Sequence, residues 1–197
     1  MSQTQLKKLD AARLPDILAR CALPPEAMTV IDPQRDTATA TAALERAGFA
    51  LEAARVFAHG LPKREAVWWA CMCALYTAPE DLAGPDRLAR EAAEQWVRSQ
   101  EDEIRRTAMD HARAAGMRAP EAWAGVAAYW SGNSITPLSA PAVPPPPHLT
   151  GVAVAGAVAL SAVRQFPQRR PQRLALFLSS ARDIAAGGPG RLPAERA

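Results

Sequence analysis

The stretch Leu61-Pro62-Lys63-Arg64-Glu65-Ala66-Val67-Trp68-Trp69-Ala70-Cys71-Met72-Cys73-Ala74-Leu75-Tyr76 constrains the fold more than any other part of the chain. Proline suits a first helical position, because its φ is already helical and its missing N–H has no acceptor there in any case. Glu65 follows in the first turn, where the positive end of the helix dipole favours an anion. Beyond it, Trp68, Met72 and Leu75 form one stripe, Trp69, Cys73 and Tyr76 a second, and Val67, Cys71 and Ala74 a third. A helix that is apolar on every side belongs in the middle of a packed structure. The remaining elements must therefore be arranged to cover this one.

Those elements read as helices. The 197 residues are 49% apolar, enough for a sizeable core, and alanine with leucine, arginine and glutamate favours helix. No alternating run of β-branched residues makes a strand, and such residues are scarce outside 152–163. Leu14, Ile17, Leu18 and Cys21 repeat at i, i+3, i+4, i+7, and Pro24-Pro25 stops that helix. A loop over 24–35 follows. Asp36 is an N-cap for a helix ending at Gly48, and another helix runs from Phe49 to His59 with Gly60 as its stop. Short links between these helices and the Pro62 helix predict roughly antiparallel neighbours.

Further helices are expected over 86–98, from a capping box at Ser99 and Asp102 to Ala115, and from Pro120 to Trp130. Arg87–Glu91 and Arg90–Glu94 pairs at i, i+4 predict a solvated face on the first of these. The run Glu101-Asp102-Glu103 before Arg105-Arg106 reads the same way. Residues 137–148 are proline-rich and stiff, a strap across the bundle. An apolar helix of about fifteen residues begins near Thr150 and ends at Val163, short of the roughly 20 residues needed to span a bilayer. A last helix runs from Pro171 to Ala186. The reading is all-α: a single multi-helix bundle of antiparallel helices, with a proline-rich strap before a buried apolar helix. Its organisation is a flexible N-terminus over 1–13, a helical domain over 14–186 and a disordered tail over 187–197.

Chemistry-bearing motifs are few. No P-loop, dinucleotide fingerprint or nucleophile elbow is present. His59, His111 and His148 lie on separate elements. His59 sits at a helix C-terminus, where a cation is favourable, His111 lies on an apolar stripe, and His148 lies in the strap. Cys71 and Cys73 point about 200° apart on a helix and cannot share a metal ion. An odd count of three cysteines and a polar N-terminal decapeptide predict a reducing, cytoplasmic setting. No metal and no cofactor is expected.

Positive charge gathers late in the chain, where residues 164–197 carry seven arginines and two acidic groups. Arg164, Arg169, Arg170 and Arg173 form the candidate basic patch, suited to phosphate or to an acidic protein surface. Nucleic acid is not expected, because the patch lacks the broad basic stripe and aromatic interleaving such binding uses. The candidate protein-binding surface is Lys63, Arg64, Glu65, Trp68 and Trp69. Adjacent indoles on a helix diverge by about 100°, so one can enter the core while the other reaches an edge.

The run Leu61 to Cys71 resembles the signature stretch of a bacterial family of unknown function, of similar length, often encoded beside type VI secretion components. The likeness extends to Glu94-Gln95-Trp96-Val97, to Tyr129-Trp130-Ser131-Gly132-Asn133-Ser134, and to Val143 through Thr150. It implies a setting rather than a mechanism: an accessory adaptor or chaperone for a secretion spike or effector, without a membrane span. Two other readings stand beside this one, an enzyme with an unrecognised site and a peripheral membrane protein using residues 149–163.

Overall fold

A computed structural model describes residues 6–9 and 13–195. Among them, ten α-helices and no strands are found: α1 (Leu14–Cys21), α2 (Pro25–Met28), α3 (Thr37–Arg46), α4 (Ala50–Gly60), α5 (Lys63–Tyr76), α6 (Gly84–Ser99), α7 (Asp102–Ala114), α8 (Pro120–Trp130), α9 (Leu149–Val163) and α10 (Arg170–Ala186). Local chemistry explains most of the boundaries. The Asp36 carboxylate accepts the Thr39 N–H at 2.6 Å and caps α3. Prolines stand at the first turns of α1, α6, α8 and α10, and Gly187 ends α10 in the left-handed region at φ 102°. Two local expectations differ. The loop over 24–35 contains the short helix α2. The Ser99–Asp102 capping box does not form, because the Asp102 carboxylate is held by Arg105 and Arg106 instead.

Helix α5 takes the central place that its all-round apolar surface predicts. It packs on α6, α8, α9 and α10, and Val67, Trp69, Ala70, Cys71, Cys73 and Ala74 are fully buried. Its sequence neighbour α4 scarcely touches it. Both pack against α9 instead, so the short Leu61-Pro62 link joins two helices that are not an antiparallel pair. Small residues make this possible: Gly151, Ala153, Val154, Ala157 and Val158 of α9 are buried between its neighbours. The outer side of α9 remains apolar but reachable at Val152 and Val163.

Two charged stretches lie deeper than their patterns suggest. Arg90 is buried beside Glu94 rather than on a solvated face. Arg105 is 1% exposed and donates to Asp102, to the Tyr129 carbonyl at 3.0 Å and to the Ser134 carbonyl at 2.7 Å. Arg106 adds a bond to the Thr136 carbonyl at 2.8 Å, so two adjacent arginines of α7 hold the start of the strap. Gly132 is required in this clamp, because a Cβ there would overlap the Arg105 guanidinium. The strap then crosses to α9, where Thr150 donates its hydroxyl to the Trp130 carbonyl at 3.0 Å instead of capping the helix.

Described parts of both ends pack on the bundle. Lys7–Leu9 form a 3-10 turn whose Leu9 is buried in the core, although most of the stretch 1–13 lies outside the described residues. Residues 187–195 of the expected disordered tail are bonded to the bundle. Gly190 N–H donates to the Asp183 carboxylate at 2.7 Å, and Glu195 N–H donates to the Tyr76 carbonyl at 2.8 Å. Residues 196 and 197 lie outside the described residues.

Candidate functional site

The five residues of the candidate protein-binding surface separate into three environments. Trp69 is a core residue at 0% exposure: its indole N–H donates to the Phe177 carbonyl at 2.9 Å, and its ring meets Phe57 edge-on at 6.3 Å. Trp68 is half-buried at the rim and donates to the Pro189 carbonyl at 2.7 Å, so the C-terminal segment lies over one edge of it. Glu65 pairs with Lys8 at 3.1 Å. Lys63 and Arg64 are exposed, with no ion-pair partner among the described residues. Lys63 and Arg64 face solvent fully, and Glu65 and Trp68 in part.

The candidate basic patch is not a patch. The Arg164 guanidinium makes a two-pronged contact with the Glu121 carboxylate at 2.7 and 3.1 Å, and Glu121 is 0% exposed. Arg173 is 2% exposed. It donates twice to the Glu195 carboxylate, at 3.1 and 2.6 Å, and again to the Arg164 carbonyl at 2.6 Å. These bonds hold the Glu195 carboxyl below its usual range. Arg169 also reaches Glu195, at 3.5 Å, and its guanidinium lies 4.9 Å from the Phe166 ring centre. Arg170 alone of the four is exposed at the surface without an ion-pair partner among the described residues. Three of the four arginines therefore hold the bundle together.

Around Glu121 the pairing is dense. Glu121 and burial together raise the Asp86 carboxyl, with burial the larger cause, and Asp86 Oδ1 and Arg90 Nε are buried without a hydrogen-bond partner among the described residues. The Cys71 thiol, also pushed up by burial, feels both Glu94 and Glu121. No group of three or more histidine, cysteine or acidic side chains is placed to hold a metal ion among the described residues.

Two further basic side chains meet a concave surface at the start of α5, one of them the Lys63 of the candidate protein-binding surface. A pocket of about 200 Å³ opens between α1, α4, α5 and α9, lined by Arg20, His59, Lys63, Pro147, Thr150 and Gly151 among others. None of its lining residues is acidic. His59 stands at the C-terminal end of α4, as the sequence shows, yet it is not the cation that position favours. Burial, then Arg20, then His148 push its pKa down to about 4, so it is neutral at pH 7. Burial also lowers the Lys63 ammonium. Gly151 brings α9 onto this ring: a Cβ there would overlap His59 Nδ1.

The fold and these sites define an all-α bundle protein whose buried arginines are paired with carboxylates and which carries exposed Lys63 and Arg64 at the start of α5. The chain belongs to a family of unknown function (DUF6931), which matches residues 40–185. No curated protein and no solved structure matches the chain. His59, Lys63 and Gly151 fall inside the matched region, whereas α1 with Arg20 and the segment 187–195 fall outside it.

Proposed function

We propose that this chain is a non-enzymatic interaction protein, an accessory adaptor or chaperone for a type VI secretion spike or effector. The setting comes from the sequence resemblance. The supporting observation is the rim of α5, where exposed Arg64 lies one helical turn before the half-buried Trp68 and next to exposed Lys63 in the chain. Exposed cations next to an indole match an acidic protein surface carrying an apolar contact, and Trp and Arg are the side chains most enriched where interfaces bind tightly. A reducing compartment is consistent with the buried thiols of Cys21, Cys71 and Cys73.

Pull-down with purified spike and effector proteins tests this reading. Capture of one of them, lost on Arg64→Glu with the melting temperature unchanged, is the expected result. Recovery of neither, together with a metabolite that raises the melting temperature, would replace the adaptor with an enzyme or small-molecule binder. The membrane reading has less support, because most of α9 is buried and no single helix among the described residues is long and apolar enough to cross a bilayer.

A further inference from the structure

We infer that the pocket between α1, α4, α5 and α9 is a binding site for a small tetrahedral oxyanion, a phosphate group, held by Arg20, Lys63 and the first turn of α9. This goes beyond the adaptor reading and does not depend on it.

The cavity and its charge carry the inference. Arg20 from α1 and Lys63 from α5 are far apart in sequence, yet the fold brings both to one concave space that also receives His59 from α4. Four arginines with little exposure have carboxylates of their own: Arg90 has Glu94, Arg105 has Asp102, Arg164 has Glu121 and Arg173 has Glu195, whereas Arg20 and Lys63 are exposed at the mouth of the cavity with no ion-pair partner among the described residues. Here there is no acidic side chain in the lining. Two like charges facing one cavity repel each other, and an anion entering between them is attracted to both.

Backbone donors add to the side chains. The first bond of α9 runs from Val152 N–H to the His148 carbonyl at 3.0 Å, so the N–H groups of Thr150 and Gly151 lie ahead of it, and both residues line the pocket. Such groups suit an anion. Gly151 has a definite part: without a Cβ it lets the His59 ring lie against this turn, bringing an imidazole to the same space. The size also discriminates. About 200 Å³ is below the roughly 300–1,000 Å³ of pockets that enclose drug-sized ligands, which favours a small ion or the head of a phosphomonoester over a nucleotide or cofactor.

Calorimetric titration and thermal melting of the whole chain test this with sodium sulfate, inorganic phosphate and glycerol phosphate, against chloride at equal ionic strength. Sulfate keeps its double charge across neutral pH, so it separates the protein's behaviour from the ligand's own titration. Saturable binding of sulfate and phosphate is expected, with Arg20→Gln and Lys63→Gln each weakening it about tenfold, the loss of one charge-assisted hydrogen bond. Both side chains are exposed, so both variants should fold. Sulfate also raises melting temperatures non-specifically by exclusion from protein surfaces, and the double variant measures that background. Binding of glycerol phosphate as well as inorganic phosphate identifies a phosphomonoester head as ligand. Binding of inorganic phosphate alone identifies the free ion, and both results support the site. Absence of saturable binding by all three anions, or equal affinity in the double variant, would overturn it.

Discussion

Two groups of basic residues in this protein end in opposite circumstances. Arg164 and Arg173 are drawn inside and matched to Glu121 and Glu195 with two-pronged geometry. Arg20 and Lys63 face a pocket with no acidic lining. The first group acts as internal cross-links between distant parts of the chain: α8 to the end of α9, and α10 to the C-terminal segment. The second leaves positive potential directed at solvent. A cluster of arginines in sequence therefore says little about a binding surface, because the fold decides which of them receive carboxylates.

The sharpest way to break this comparison is to remove a carboxylate. Glu121→Ala leaves Arg164 without its partner in a buried setting and should cost about 3 kcal/mol or more in urea unfolding. Arg173→Ala removes the anchor of Glu195 and should cost about 2 kcal/mol, while releasing the C-terminal segment to proteolysis. Trp68→Phe deletes the donor to the Pro189 carbonyl and should cost about 1 kcal/mol. Arg20→Gln should leave stability at neutral pH within about 0.5 kcal/mol of the parent, since it breaks no ion pair. A cost for Arg20→Gln as large as that for Glu121→Ala would erase the distinction between the two groups.

A separate effect lies in the acid range. His59 has its pKa lowered from 6.5 to about 4 in the folded chain. Between those values the unfolded chain binds a proton that the folded chain does not, so His59 makes stability fall as pH drops from 6.5 towards 4. Burial is the first cause and Arg20 the second. In Arg20→Gln the His59 resonances should titrate at higher pH by NMR, and this part of the acid destabilisation should shrink. An unchanged His59 titration would mean that the arginine does not act on the ring.

Much of the bundle was legible because its signals are local. Asp36 announces the start of α3, Gly187 the end of α10, and the all-round apolar surface of α5 its central place. The divergence of Trp68 and Trp69 also follows from helical geometry. The buried ions were misread for a reason visible in the residues. Arg105 heads a series with Ala108, Met109 and Ala112 at i+3, i+4 and i+7, and Arg173 shares its side of α10 with Phe177, Ser180 and Ala181. Glu121 stands likewise before Ala124, Gly125 and Ala128. A charged residue at a core position of such a stripe was the available signal, and reading the charges as surface groups passed over it. The pocket carried no such signal. Its Arg20, His59, Lys63 and Gly151 come from four helices, and the packing of α1 on α4 and of α4 and α5 on α9 unites them.

The neighbouring indoles give the protein an internal optical reporter. Trp69 is sealed beside Phe57 and Phe177, while Trp68 shares its N–H with Pro189 at the rim. With Trp96, Trp123 and Trp130 replaced by phenylalanine, the emission of the remaining pair separates two events. A red shift and new quenching by iodide at Trp68 alone mark the C-terminal segment lifting away, whereas a change at Trp69 marks opening of the whole bundle.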